Sequence, residues 1–189
     1  QENLLAAIAA ETHESNHVYP AFAETARAEG FTEIERVAYP AYSADQSVLR
    51  GEVDFDLQAP VWCAVKIAAG EPITVVGGVH AGCYELFANP PIGTVTELAG
   101  RRVGVPAVGS AGHFFLALMT ANVGLEPDRD IAWVENPIGD FMALLEAGEI
   151  DAFLAFPPEP QELRARGVGR SILSINTDRP WSQYMCCLA

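Results

Sequence analysis

Leu145-Glu146-Ala147-Gly148-Glu149-Ile150-Asp151-Ala152-Phe153 decides the fold, because the chain says it twice. The earlier copy is Leu49-Arg50-Gly51-Glu52-Val53-Asp54-Phe55, and each copy runs on through apolar residues to proline. The echo extends upstream: Glu29-Gly30-Phe31 leads to Ile34, Val37 and Pro40, and Val123-Gly124-Leu125 leads to Ile131, Val134 and Pro137. Each unit reads as helix end, short strand, proline, helix, Gly-Glu turn, strand. Glycine is the residue that ends a helix in the left-handed region, and an apolar β-branched run beyond it starts a strand. Two α/β units of one design predict two similar lobes with a cleft between them. That architecture puts ligand binding ahead of catalysis.

Composition narrows the function classes. The 189 residues suffice for one sizeable domain or two small ones, and 50% hydrophobic residues with 19% charged ones make a globular chain. A net charge of −14 argues against nucleic acid and anionic membranes as partners, since phosphate repels such a surface. A small anion remains admissible where backbone N–H groups hold it. No run reaches the ~20 apolar residues of a membrane span, and no basic segment followed by an apolar one marks a signal peptide. The four cysteines, Cys63, Cys83, Cys186 and Cys187, form no CxxC pair, so neither a zinc ribbon nor a thioredoxin-type motif is supported. They read as buried thiols, with a Cys63–Cys83 bridge left open.

Along the chain, helices are expected over 2–18, 21–28, 44–50, 60–69, 95–98, 113–122, 138–147 and 160–166. Strands are expected over 34–39, 53–57, 73–79, 85–88, 102–105, 131–135, 150–156 and 171–175. Ile73-Thr74-Val75-Val76-Gly77-Gly78-Val79 is β-branched and apolar, which predicts a central, buried strand. The alternation of strands and helices predicts parallel sheets. The second unit opens with a strand and a glycine-rich turn, whereas the first opens with the helix 2–18, whose chemistry is foreign to the rest.

Three strand ends carry the candidate ligand-binding residues. Gly104-Val105-Pro106-Ala107-Val108-Gly109-Ser110-Ala111-Gly112 reads as strand, loop and helix start, with Ser110 placed to cap. The first N–H groups of that helix would then offer the positive end of the dipole to a carboxylate, sulfonate or phosphate, through Gly109, Ser110, Ala111 and Gly112. It is neither a P-loop nor a dinucleotide fingerprint. Gln58-Ala59-Pro60 and Phe156-Pro157-Pro158-Glu159 follow the two repeated strands, where open α/β sheets bind ligands. Gln58 and Ala59 would contact ligand from one lobe, and Phe156 and Glu159 from the other. His80 ends the run 73–79 and joins the list by position, although a structural histidine is the plainer reading. Trp62, Tyr84, Phe114, Phe156, Trp181 and Tyr184 are the aromatics available to line a pocket. In the N-terminal helix Glu11 and Glu14 share a face with His17, the arrangement that di-iron bundles use when other helices complete it.

Those stretches carry two family resemblances. From about Glu33 onward, Gly51-Glu52-Val53-Asp54-Phe55, Gly70-Glu71-Pro72-Ile73-Thr74-Val75, Leu98-Ala99-Gly100-Arg101-Arg102-Val103-Gly104-Val105-Pro106 and Gly148-Glu149-Ile150-Asp151-Ala152-Phe153 resemble the substrate-binding proteins of ABC importers in the nitrate, sulfonate and taurine group. That family also holds thiamine-pyrimidine-precursor binding proteins. The resemblance implies a two-lobed, type 2 periplasmic-binding-protein-like α/β fold, a small-molecule ligand, an ABC permease as partner, a periplasmic or cell-envelope location, and no enzymatic activity or cofactor. The iron-using pyrimidine synthases are the family's exception, and this chain lacks their cysteine-rich run. The family's opening strand and ligand-facing loop have no counterpart here, and relatives continue past the position of Ala189, so the fold is expected to be truncated. Residues 2–30, with Glu11, Glu14 and Tyr19-Pro20-Ala21-Phe22-Ala23, resemble instead a helix of rubrerythrin, in which Glu11 and Glu14 would ligate iron. The organisation expected is a rubrerythrin-like helical segment over 1–32, a first lobe over 33–100, a second over 101–175 and a return segment over 176–189. The leading function is solute capture of a small organic or oxyanion ligand. The alternative is a di-iron oxidoreductase fragment completed by other chains.

Overall fold

The computed structural model describes residues 24, 27, 28, 30, 47–56, 58–82, 84–136, 139–183 and 185–188. The chain divides into Gln1–Tyr39 and Pro40–Ala189. In the first unit Glu24, Arg27 and Ala28 are helical, and Gly30 (φ +102°) donates its N–H to the Arg27 carbonyl, the expected glycine stop. The helix 2–18, the strand 34–39 and the candidate ligands Glu11 and Glu14 lie outside the described residues.

In the second unit the repeated phrase folds into the same turn twice. Gly51 (φ +67°) donates to Val48 C=O at 3.1 Å and Glu52 to Ser47 C=O at 2.9 Å. Gly148 (φ +69°) donates to Leu145 C=O at 3.1 Å and Glu149 to Leu144 C=O at 2.9 Å. At Gly148 this pair of bonds ends the helix Phe141–Glu146, and in both copies it needs a residue free to take positive φ, which glycine supplies without a Cβ penalty.

The elements are α1 (Pro60–Ala68), β1 (Gly78–Ala81), β2 (Glu85–Ala88), a 3₁₀ turn (Val95–Leu98), β3 (Arg102–Val105), α2 (Ala111–Asn122), α3 (Pro127–Asp130), β4 (Ala132–Glu135), α4 (Phe141–Glu146), β5 (Ala152–Ala155), α5 (Glu159–Arg166), β6 (Arg170–Ser174), a 3₁₀ turn (Trp181–Gln183) and β7 (Met185–Leu188). Five strands form one sheet in the order β4-β3-β5-β2-β6, and β1 pairs antiparallel with β7 in a second. β3, β4 and β5 run parallel, as expected. β2 runs antiparallel to both its neighbours, so the sheet is mixed. Glu85–Ala88, on the N-terminal side of the boundary expected at residue 100, thus pairs within this five-stranded sheet.

Side chains alternate across that sheet. Leu86, Ala88, Val103, Val105 and Ala152 pack on one face with Phe115, Leu116 and Met119 of α2. Phe87, Phe153 and Ala155 pack on the other with Phe141 and Leu145 of α4 and Leu163 of α5. Gly104 faces α4, where a Cβ would stand 2.7 Å from Phe141 Cδ1 and 2.9 Å from Ile150 Cδ1. Strand and helix approach closely there because the side chain is missing.

Two expected strands are not strands. Residues 53–56 are irregular, with a single bridge at Gln58. Residues 71–77 form no ladder, and Val75 and Val76 are 41% and 61% exposed, so the run is neither central nor buried. Only Gly78–Ala81 pairs, with β7. A β-branched run is a preference that becomes a strand only against a partner ladder. α3 and β7 form where no element was expected.

The chain passes between the two sheets twice, from β1 to β2 and from β6 to β7. The crossings touch: Ile175 N–H donates to Tyr84 C=O at 3.1 Å, and a Cβ on Gly82 (φ +68°) would lie 3.1 Å from Asn176 Cα and against its side-chain oxygen.

Candidate ligand-binding turn

The sheet order makes a topological switch point. β3 leads through α2 to β4 on one side, and β4 leads through α4 back across to β5 on the other, so α2 and α5 leave adjacent strand ends on opposite faces. In open α/β sheets ligands bind at such a switch point, beyond the carboxyl ends of the strands. The turn 106–112 follows β3 and the segment Phe156–Glu159 follows β5, so both lie there.

Ser110 is the N-cap of α2: its backbone is extended (φ −70°, ψ 163°) and its buried Oγ accepts the His113 N–H at 3.3 Å. Ser110 N–H donates to Ala107 C=O, and Phe114 N–H to Ser110 C=O. Two further donors of the turn are engaged by side chains. Val108 N–H donates to Glu135 Oε2 at 3.1 Å, and Gly109 N–H to His113 Nδ1 at 3.2 Å. Among the described residues Ala111 and Gly112 N–H have no acceptor, being first-turn donors that no earlier carbonyl can reach. Pro106 Cδ would touch a Cβ at Gly112 at 3.9 Å, so the turn folds back on the helix start.

His113 is 7% exposed and stands edge-on to Trp133, ring centroids 4.7 Å apart. Its Nε2 is buried without a partner, as is Trp133 Nε1. Burial pushes the imidazole below its ordinary pKa, against the opposing pull of Asp128 and Glu135. Sequence reading named Ser110 and its glycines but missed His113 and Glu135. The available signal was a histidine three residues after a capping serine, where its ring can fold back over the turn.

On the other strand end, Glu159 opens α5 and its Oε2 accepts the Phe156 N–H at 2.8 Å. Its carboxyl is pushed up, first by burial and further by Glu162 and Asp140. The Phe156 ring meets Tyr84 at 5.4 Å, and Tyr84 meets Phe115 of α2 at 6.4 Å. A chain of rings therefore connects the two strand ends. Glu85, buried at the start of β2, is ion-paired to Arg164 of α5, whose guanidinium lies over Phe87. Trp62 and Trp181 belong to the core, and Tyr184 lies outside the described residues.

Gln58 and Ala59 sit elsewhere in the unit. Ala59 is the N-cap of α1. Gln58 is buried, its Nε2 donating to Asp56 Oδ2 at 2.6 Å, and it lines a cavity of about 260 Å³ with Asp54, Trp62, Cys63 and Thr74. None of the turn 106–112 lines that cavity. Cys63 is a free buried thiol, pushed up chiefly by desolvation. His80 is placed as a residue of β1 opposite Cys187, its side chain outside the description. Among the described residues no cluster of three His, Cys, Asp or Glu could hold a metal, and no helix is long and apolar enough to cross a membrane.

A family model described as NMT1/THI5 like matches residues 33–187. Among solved structures, the alkanesulfonate-binding protein SsuA of Xanthomonas axonopodis pv. citri, bound to MOPS, is 22% identical with a TM-score of 0.63 over 91% of this chain and 58% of that one. The periplasmic aliphatic sulphonate binding protein SsuA of Escherichia coli is 24% identical, TM-score 0.63, over 89% of this chain and 58% of that one. The periplasmic nitrate-binding protein NrtA of Synechocystis PCC 6803 is 13% identical, TM-score 0.50, over 71% and 41%. At these identities the likeness is one of fold. The chain spans less than two thirds of the length of each. No curated protein matches it.

Proposed function

Because this chain belongs to the NMT1/THI5-like family, we propose that it is a solute-binding component of an ABC importer that captures a small organic or oxyanion ligand, of the sulfonate, nitrate or pyrimidine-precursor class. The observation that carries this reading is the capped start of α2: Ser110 fixes the turn, and Ala111 and Gly112 N–H stand without acceptors at the switch point of the sheet. A helix start of this kind favours an anion through its N–H groups and its dipole. That route suits a chain whose overall charge of −14 would otherwise repel one. Phe156 and Tyr84 supply an apolar wall for the organic part of the ligand. Gln58 and Ala59 belong to the first-lobe side, and with His80 they would meet the ligand when the cleft closes. The reading invokes no cofactor and no bond-making step. The partner is a membrane permease, and the place of work is the periplasm or cell envelope.

The test is a thermal-shift and calorimetric screen of the purified chain against methanesulfonate, taurine, nitrate and an aminopyrimidine. Occupancy stabilises the native state by RT ln(1 + [L]/Kd), so a ligand at one hundred times its Kd adds about 2.7 kcal/mol. Saturable binding of one class, lost in a variant carrying Gly109→Pro and Ser110→Ala, supports the assignment. Binding that survives this double change refers the ligand to another surface, and a chain that melts cooperatively yet binds none of the four ends the reading.

A further inference from the structure

The turn that would hold an anion is already half filled by the protein's own acceptors. Glu135 Oε2 takes the Val108 N–H, His113 Nδ1 the Gly109 N–H and Ala107 C=O the Ser110 N–H, which leaves Ala111 and Gly112, of the five N–H groups from Val108 to Gly112, without an acceptor among the described residues. We propose that the turn is a proton-coupled anion cradle, in which an oxyanion is taken up together with a solvent proton that goes to His113 Nδ1 and frees the Gly109 N–H for the ligand. This rests on the reading that the ligand's anionic group binds at the start of α2.

The ring's tautomer follows from its bonds. An imidazole that accepts at Nδ1 carries its hydrogen on Nε2, and Nε2 is the atom buried without a partner. Protonation adds a hydrogen at Nδ1, facing the Gly109 N–H, and two donors cannot bond to each other. They can converge on one acceptor placed between them. An oxyanion seated there meets Gly109, Ala111 and Gly112 N–H, the imidazolium Nδ1–H and a unit positive charge. The charged groups around the ring, among the described residues, are Glu135 on β4 and Asp128 of α3; α2 contributes none, and Trp133 presents its ring edge. Both acids favour the imidazolium and burial opposes it. In the free protein burial prevails, and a bound anion adds its charge to the acids' side.

Linkage then fixes the sign. Binding that favours the protonated ring strengthens as pH falls through the interval between the ring's bound and free pKa values, by at most about tenfold per pH unit, and levels off below the free value. The same residues set a selectivity: ligands presenting an oxyanion gain from the proton, and neutral ligands do not.

The experiment follows the His113 ring Cε1–H and the Gly109 amide by NMR in the full chain between pH 8 and pH 5. It is run at constant ionic strength, with and without inorganic sulfate. The expected result is a shared midpoint for the two signals that sulfate raises by roughly half a unit or more, a coupling of about threefold. His113→Asn, whose amide oxygen can accept the Gly109 N–H but takes no proton, is expected to remove the Gly109 titration and to make sulfate affinity independent of pH over this range. A midpoint that sulfate leaves unchanged or lowers overturns the proposal, as does a Gly109 amide that does not follow the ring. If sulfate raises the midpoint while methanesulfonate, taurine and nitrate fail to bind, the cradle stands and the solute assignment falls. If the asparagine variant does not fold, the wild-type midpoint with and without sulfate still decides.

Discussion

Replacing Gly104 by alanine tests how the sheet and α4 are fitted together. A Cβ at this position would stand 2.7 Å from Phe141 Cδ1 and 2.9 Å from Ile150 Cδ1, closer than carbon atoms approach without displacement. Neither neighbour has room. Phe141 is 5% exposed and stacks on Phe153 at 5.5 Å, and Ile150 is fully buried. Forcing a methyl group into such a packed site costs about 1–3 kcal/mol. Removing a glycine from the unfolded chain returns roughly 0.4–1 kcal/mol. The net loss expected is about 1–2 kcal/mol and at most about 2.6 kcal/mol, or a fall of up to about 10 °C in melting temperature for a chain of this size. The assay is equilibrium urea unfolding followed by fluorescence and circular dichroism, with Gly77→Ala as the control. Gly77 has ordinary φ and open space around its Cβ position, so that change should stay within about 0.5 kcal/mol of the parent. If Gly104→Ala unfolds at the same urea concentration as Gly77→Ala, the close approach of β3 to α4 is not what shapes this face of the core.

Two further predictions rest on hydrogen bonds. Ser110→Ala removes the cap from α2 and should lower stability by about 1 kcal/mol in the same assay, with Ser110→Gly costing less. It should also weaken oxyanion binding in calorimetry, because the Ala111 and Gly112 N–H groups lose their fixed direction. Asp151 is held below the usual carboxylate range by the Arg102 side chain, which bonds both its oxygens, and by the Arg102 N–H at 2.8 Å. Its folded pKa is depressed, so its contribution is present above the unfolded value and is lost as pH falls through the folded one. Asp151→Asn should therefore flatten the loss of stability that the parent shows on acidification below about pH 4; an unchanged acid profile would sink that assignment.

What the sequence made legible is what local geometry decides. The Gly51-Glu52 and Gly148-Glu149 turns were readable because positive φ and two backbone bonds within six residues need no distant partner. Ser110 was readable for the same reason. Ile73–Val79 was misread because a ladder is a property of two segments, and the stretch that looked most like a strand is paired only at its last residues. The reversed direction of β2 was equally hidden, since hydrophobic alternation has no polarity. In the candidate site the turn was visible and its acceptors were not. His113 reaches Gly109 across one helical turn, but Glu135 reaches Val108 only because β3 and β4 lie side by side.

The doubled crossing between the two sheets has a mechanical consequence. One connecting strand is a swivel, free to twist and to bend in any direction. Two connections held by the Ile175–Tyr84 bond, with no room for a side chain between Gly82 and Asn176, constrain each other. A movement of the β1–β7 pair against the five-stranded sheet that separated the two connections would break that bond.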